Sequence, residues 1–209
     1  MRDLELRGAG NLLGAEQHGH LDAVGYELYV KLLERAVLAE RGEPVEEKAE
    51  CIVNLAYDAC LPEKYVKVAA QRMTLYKRIA LIASEYDLLD MTDELLDRYG
   101  EPPQAAAILL KIALIRSIAE RAGIVNIRQD GASVYFSAPA FDTGIWMRLA
   151  GELPGKLRMM PSANPTILYR IDKGPKGLED LKKLFMRYDA LAAEAGSHAA
   201  NDKKGAETV

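Results

Sequence analysis

The strongest constraint on fold in this sequence is a change of period at Gly123. Before it, apolar residues recur every three or four positions, the spacing of amphipathic helices. The pattern predicts helices over 69–84, 88–100 and 103–122, with Leu75, Ile79 and Ile82 inward in the first. Ile108, Leu109, Ile112, Ile115 and Ala119 are expected inward in the third, and Gly123 caps it. After Gly123 short β-prone runs take over. Residues 124–128 and 133–137 flank Asp130-Gly131, a hairpin signal, and 157–160 and 167–171 flank a second turn ending at Pro165. A further short strand is expected over 51–57. A helix over 141–153 carries Trp146, and one over 175–195 aligns Leu178, Leu181, Leu184, Phe185, Tyr188 and Leu191 on one face. Helices grouped ahead of hairpin-linked strands predict an α+β domain, a mainly antiparallel sheet packed with several helices.

Upstream, residues 1–20 carry glycines at 8, 10, 14 and 19, which suits a loop, and 21–41 reads as one helix ended by Gly42. Gly8, Gly10 and Gly14 are spaced one residue too far apart for a dinucleotide fingerprint, and no strand–helix pair frames them. Residues 43–50, with Pro44 and four glutamates, read as a linker. The expected organisation is therefore 1–42, a linker over 43–50, an α+β domain over 51–195, and an aperiodic tail over 196–209 expected to be disordered.

The most informative single helix is 88–100. Leu88, Met91, Leu95 and Tyr99 form an apolar stripe, widened by Leu89 and Leu96. Ser84 and Asp87 have the spacing of a capping box, and Gly100 before Pro102-Pro103 ends the helix. Glu94, Asp97 and Arg98 fall at i, i+3 and i+4, so their side chains emerge together. Such a face is ordinarily just solvated; the alternative is a docking surface with one cation set between carboxylates. Charge is uneven around it. Residues 61–82 hold five basic side chains and one acidic, while 83–101 hold seven acidic and one basic. Neighbouring segments of opposite sign either satisfy each other or present two different surfaces.

The chemistry of a self-contained enzyme is missing. There is no phosphate-binding loop, no zinc-ligand spacing and no nucleophile elbow. His18, His20 and His198 lie in expected loop or tail, and the histidine pair has no third ligand nearby. Two cysteines, Cys51 and Cys60, do not make a disulfide framework. No apolar run approaches membrane-spanning length, and Met1-Arg2-Asp3 is too charged to begin a secretory signal. A reducing cytoplasm is the expected setting. The formal net charge of −4 argues against a dedicated nucleic-acid coat.

Two runs also resemble one family. Arg2 to Gln17 (RDLELRGAGNLLGAEQ) resembles the TRG motif shared by bacterial transcription-repair coupling factors and the RecG helicase. Arg72 to Arg78 (RMTLYKR), Asp93 to Gly100 (DELLDRYG) and Ala122 to Ile124 resemble the terminal domain of the coupling factors alone. The resemblance spans Arg2 to about Ala195. It implies an ATP-driven double-stranded DNA translocase that displaces stalled RNA polymerase and recruits UvrA. Arg7 and Gln17 match the positions that couple ATP hydrolysis to movement. Glu94, Asp97 and Arg98 match positions that dock on a UvrB-like module of the same protein and mask its UvrA-binding surface. ATP and Mg²⁺ belong to the parent motor, and no cofactor or metal is expected in this chain, which reads as a fragment without activity of its own. Two other readings stay open: a small metal-dependent enzyme using Asp90, Glu94 and Asp97, and a DNA clamp using the basic residues Lys64, Lys67, Arg72, Lys77 and Arg78.

Overall fold

The chain divides into two units, Met1–Glu47 and Lys48–Val209. The computed structural model describes residues 50–160, 165–172 and 174–206, the last stretch from 196 as backbone alone. All lie in the second unit, so the expected glycine-rich loop and the helix over 21–41 fall outside the described residues.

Three helices come first: α1 (Ala69–Ala80), α2 (Glu85–Tyr99) and α3 (Gln104–Arg121). A short strand, β1 (Ile52–Asn54), precedes them. After α3 come β2 (Asn126–Asp130), β3 (Ser133–Ser137), helix α4 (Thr143–Glu152), β4 (Leu157–Met160), β5 (Thr166–Arg170) and helix α5 (Pro175–Ala206). The α+β class and a largely antiparallel sheet are as expected. Strand order is β1-β2-β3-β5-β4, with β1 parallel to β2 and every other pair antiparallel. The parallel pair is possible because three helices separate β1 from β2 and carry the chain back to the same end of the sheet.

Several boundaries differ from expectation for local reasons. The run over 51–57 forms only three residues of strand, because β1 is an edge with one neighbour. Helix α1 stops at Ala80 rather than 84. Leu81 and Ile82 donate to Arg78 and Ile79 carbonyls in a tightened last turn, and Ser84 then opens α2. The backbone expected to be disordered from 196 is helical to Ala206, continuing α5 without a break.

The end of α3 follows the backbone chemistry of its glycine. Ile124 N–H donates to Ala119 at 2.9 Å and Gly123 N–H to Glu120 at 3.0 Å, the paired bonds of a Schellman motif, with Gly123 at φ +72°. That turn redirects the chain from the last helix of the first group into β2.

Alternation along the strands puts Ile127, Val134, Phe136, Leu157, Ile167 and Tyr169 on one sheet face, all buried. Helices cover this face. Phe136 meets Phe185 of α5 edge-on at 5.3 Å, and Trp146 of α4 lies tilted against Phe136 at 5.9 Å and against Tyr188 at 5.0 Å. The full apolar stripe expected on α5 is buried. Helix α3 packs on α5, α2, α1 and β1. Its buried residues are Ala106, Leu110, Ala113, Leu114, Ile115, Ile118 and Ala119, while Ile108, Leu109 and Ile112 are only half-buried. The expected inward face was thus rotated, since a helix apolar nearly all round gives period little to report.

Candidate interdomain docking face on helix α2

Helix α2 is fixed at both ends. Ser84 Oγ accepts from Asp87 N–H at 3.2 Å, and Asp87 Oδ2 accepts from Ser84 N–H at 2.9 Å, completing the capping box. The Ser84 hydroxyl, also donating to Asp87, holds that carboxyl below the usual aspartate range. At the far end the Tyr65 hydroxyl lies 2.8 Å from Gly100 O and 3.1 Å from Leu95 O. Leu88, Met91 and Leu95 are buried, as the stripe requires. Leu89 and Leu96 are not part of it: they are 56% and 46% exposed. The inward stripe is therefore narrower than the sequence implies.

The outward face carries Glu94, Asp97 and Arg98, but the three are not equivalent. Glu94 Oε1 accepts from Arg98 Nη1 at 2.7 Å, one helical turn on, and from Arg78 Nη1 in the last turn of α1. Its side chain is only 18% exposed. Desolvation pushes the Glu94 carboxyl up, and the hydrogen bonds from Arg98 and Arg78 outweigh it, so its pKa is lowered. Arg98 is held further toward its charged form, first by the Glu94 hydrogen bond. Its guanidinium also lies 5.1 Å from the centre of the Tyr99 ring. Asp97 is exposed and has no partner among the described residues. A shallow cleft of about 220 Å³ runs beside the cluster, lined by Ala70, Gln71, Thr74, Leu75 and Arg98.

The participant that the sequence does not assign to this face is Arg78, grouped there with the basic residues of the DNA-clamp reading. The opposite charge of segments 61–82 and 83–101 was its only signal. Arg72, from the same set, points inward and donates to the carbonyls of Val66 at 2.7 Å and Lys67 at 3.2 Å. With two of five basic side chains so engaged, the basic-clamp reading loses its arginines. Asp90, Glu94 and Asp97 do not gather around a common point either; among the described residues no group of three or more histidine, cysteine or acidic side chains could hold a metal ion. Arg7 and Gln17 lie outside the described residues.

Comparison with known proteins agrees with this architecture. Residues 55–143 match the TRCF domain family. The transcription-repair-coupling factor of Staphylococcus aureus USA300 is 42% identical over 190 residues, covering 88% of this chain and 16% of that protein. Its counterpart in Staphylococcus epidermidis RP62A is 40% identical over 136 residues, 64% of this chain and 12% of that protein. The chain therefore spans less than a fifth of the length of these relatives. A crystal structure of the C-terminal domain of a transcription-repair coupling factor superposes with a TM-score of 0.54, covering 67% of this chain and 94% of that one at 17% identity, a likeness of fold. With a TRCF domain in its second unit and 42% identity to a curated coupling factor across most of its length, this chain belongs to the transcription-repair coupling factors.

Proposed function

We propose that residues 51–195 act as a regulatory clamp in a longer, ATP-driven double-stranded DNA translocase. In this reading the face bearing Glu94, Asp97 and Arg98 docks on a UvrB-like module of the same protein and masks its UvrA-binding surface. The clamp releases when the motor engages stalled RNA polymerase. Arg7 and Gln17 belong to the segment that couples ATP hydrolysis to movement on DNA. ATP and Mg²⁺ are held by the motor of the full-length protein, and no residue of this chain is assigned to them; the chain alone neither hydrolyses ATP nor translocates. The setting is cytoplasmic.

The observation that supports this best is the division of labour on α2. Arg78 and Glu94 hold Arg98 in a fixed orientation, while Asp97 stands free beside it. A preorganised cation next to an unpaired carboxylate gives a partner orientation and selectivity without extensive apolar burial. That suits a contact that must open. Among the described residues no helix is long and apolar enough to cross a membrane.

The test is a titration of this chain against the separately expressed UvrB-like module of the parent protein, at several salt concentrations. Binding that weakens with salt and disappears in the Glu94→Ala/Asp97→Ala/Arg98→Ala variant is the expected result. Binding of unchanged strength in that variant would remove the docking role from this face.

A further inference from the structure

The sheet has a second face that no helix of the described residues covers. Alternation places Asn54, Arg128, Tyr135, Leu168 and Arg158 on it, and strand pairing joins them into one row across all five strands. Ser133 and Ser137 flank Tyr135 on the same face, two residues away on either side. Arg170 pairs with Ser133 one row along, and Ser133 in turn pairs with Asp130.

The arginines distinguish this face from the rest of the domain. There are ten between residues 50 and 195. Seven reach a carboxylate. The other three are Arg128, Arg158 and Arg170; all are exposed, and none has an ion-pair partner among the described residues. All three lie on the open sheet face. Against Asp130 they give it a balance of +2, in a chain of net charge −4. Arg128 also sits over Tyr135, its guanidinium carbon 4.9 Å from the ring centre.

We propose that this face binds a single strand of RNA. An Arg128–Tyr135 stack at mid-sheet offers a base a planar surface, and Leu168 beside it gives an apolar floor. Arg170 on β5 and Arg158 on β4 both lie on the far side of Tyr135 from Arg128, where the phosphates of the strand running on from the stacked base would pass. Arg128 and Arg158 stand three strand spacings apart, roughly 14 Å at about 4.8 Å each, which is room for the two or three bases that an antiparallel sheet stacks in single-strand recognition. Uncharged hydroxyls at Ser133 and Ser137, next to the ring, suit a ribose 2′-hydroxyl, the group that separates RNA from DNA. A duplex does not fit, because its bases are not available to a flat surface.

Fluorescence anisotropy with the full chain tests this, using a labelled eight-nucleotide RNA, DNA of the same sequence, and an RNA duplex. The expected result is binding to the single RNA strand at low salt, several-fold weaker binding to DNA, and none to the duplex. The logarithm of affinity should fall against the logarithm of salt with a slope of about −1.4, near 0.7 for each of two phosphates. Arg128→Ala/Arg158→Ala/Arg170→Ala should weaken binding at least tenfold. Tyr135→Leu, which keeps an apolar filler in place, should weaken it several-fold. Lys64→Ala/Lys67→Ala/Lys77→Ala, remote on the helical side, should leave it unchanged. No RNA binding at low salt, equal binding to DNA, or indifference to the arginine triple would each overturn the proposal.

Discussion

Arg78 at the end of α1 and Arg98 in α2 share one carboxylate oxygen, Oε1 of Glu94. The arrangement ties two helices together and leaves Asp97 as the free acid of the face. Removing Arg78 should therefore loosen Arg98 without altering any of the three residues of the proposed docking face. Arg78 is 45% exposed, so water screens the pair and its contribution to stability belongs with exposed ion pairs, about 0.5 kcal/mol. Arg78→Ala should lower the urea midpoint only slightly, yet weaken docking on the UvrB-like module more than that small loss implies. An equal effect of Arg78→Ala and Lys77→Ala on docking would remove Arg78 from the site.

The same carboxylate gives a pH dependence of known sign. The folded-state pKa of Glu94 is lowered from the ordinary 4.5. A lowered carboxylate stabilises the folded state fully above its unfolded pKa, and the gain is lost as pH falls through the folded value. The stability difference between wild type and Glu94→Gln should be constant from neutral pH down to about 5, then shrink as acid protonates the carboxylate. Urea unfolding at a series of pH values reads this directly, and a difference that grows on acidification would contradict the assigned ion pairs.

Two glycines should respond differently to alanine. At Gly123 a Cβ meets nothing within 4 Å, so only the positive φ opposes it. Gly123→Ala should cost about 1 kcal/mol, and Gly123→Asn less, because asparagine tolerates that conformation. At Gly177, in the first turn of α5, a Cβ would stand 2.0 Å from the Asp172 carbonyl oxygen and 3.0 Å from the Tyr57 hydroxyl. Backbone must move there, at a cost of roughly 1–3 kcal/mol, and no larger residue relieves it. Thermal unfolding of the three variants should rank Gly177→Ala lowest and Gly123→Asn highest.

What the sequence disclosed follows from how local each interaction is. The capping box of Ser84 and Asp87, the hairpin at Asp130-Gly131 and the stripe of α5 depend on neighbours a few residues apart, and all were legible. The Arg78–Glu94 contact joins different helices, so charge imbalance hinted at it without naming the partners. The parallel pairing of β1 with β2 depends on three intervening helices folding back. The burial of α3 was misread because residues such as Ile108 and Ile112 are as apolar as Leu114 and Ile118, and only the packed neighbours choose between them. The unpaired arginines of the open sheet face required register across four strands.

Trp146 offers an internal reporter. It is the only tryptophan, is fully buried, and its Nε1–H has no acceptor among the described residues. Phe136, Phe141 and Tyr188 surround it. Its emission should be blue-shifted in the folded chain and move to the red on unfolding, in step with loss of helical circular dichroism. Trp146→Ala should cost about 3–5 kcal/mol through the cavity it leaves. Trp146→Phe should cost clearly less, since it also removes a buried donor that makes no hydrogen bond. Comparable losses in the two variants would mean that the indole nitrogen has a partner in solution.

Docking and stability are separable within α2. Asp97 is exposed and unpartnered, whereas Glu94 is largely covered and bonded to two arginines. Asp97→Ala should leave the urea midpoint within about 0.5 kcal/mol of wild type while weakening binding to the UvrB-like module. Glu94→Ala should reduce both, because it leaves Arg78 and Arg98 facing each other without their shared acceptor. Asp97→Asn, which keeps the shape and removes the charge, should behave like Asp97→Ala if the partner presents a cation. Full binding by Asp97→Asn would show instead that the aspartate acts through neutral hydrogen bonds. In that event the salt dependence of docking must come from Arg98 alone, and Arg98→Gln should abolish it.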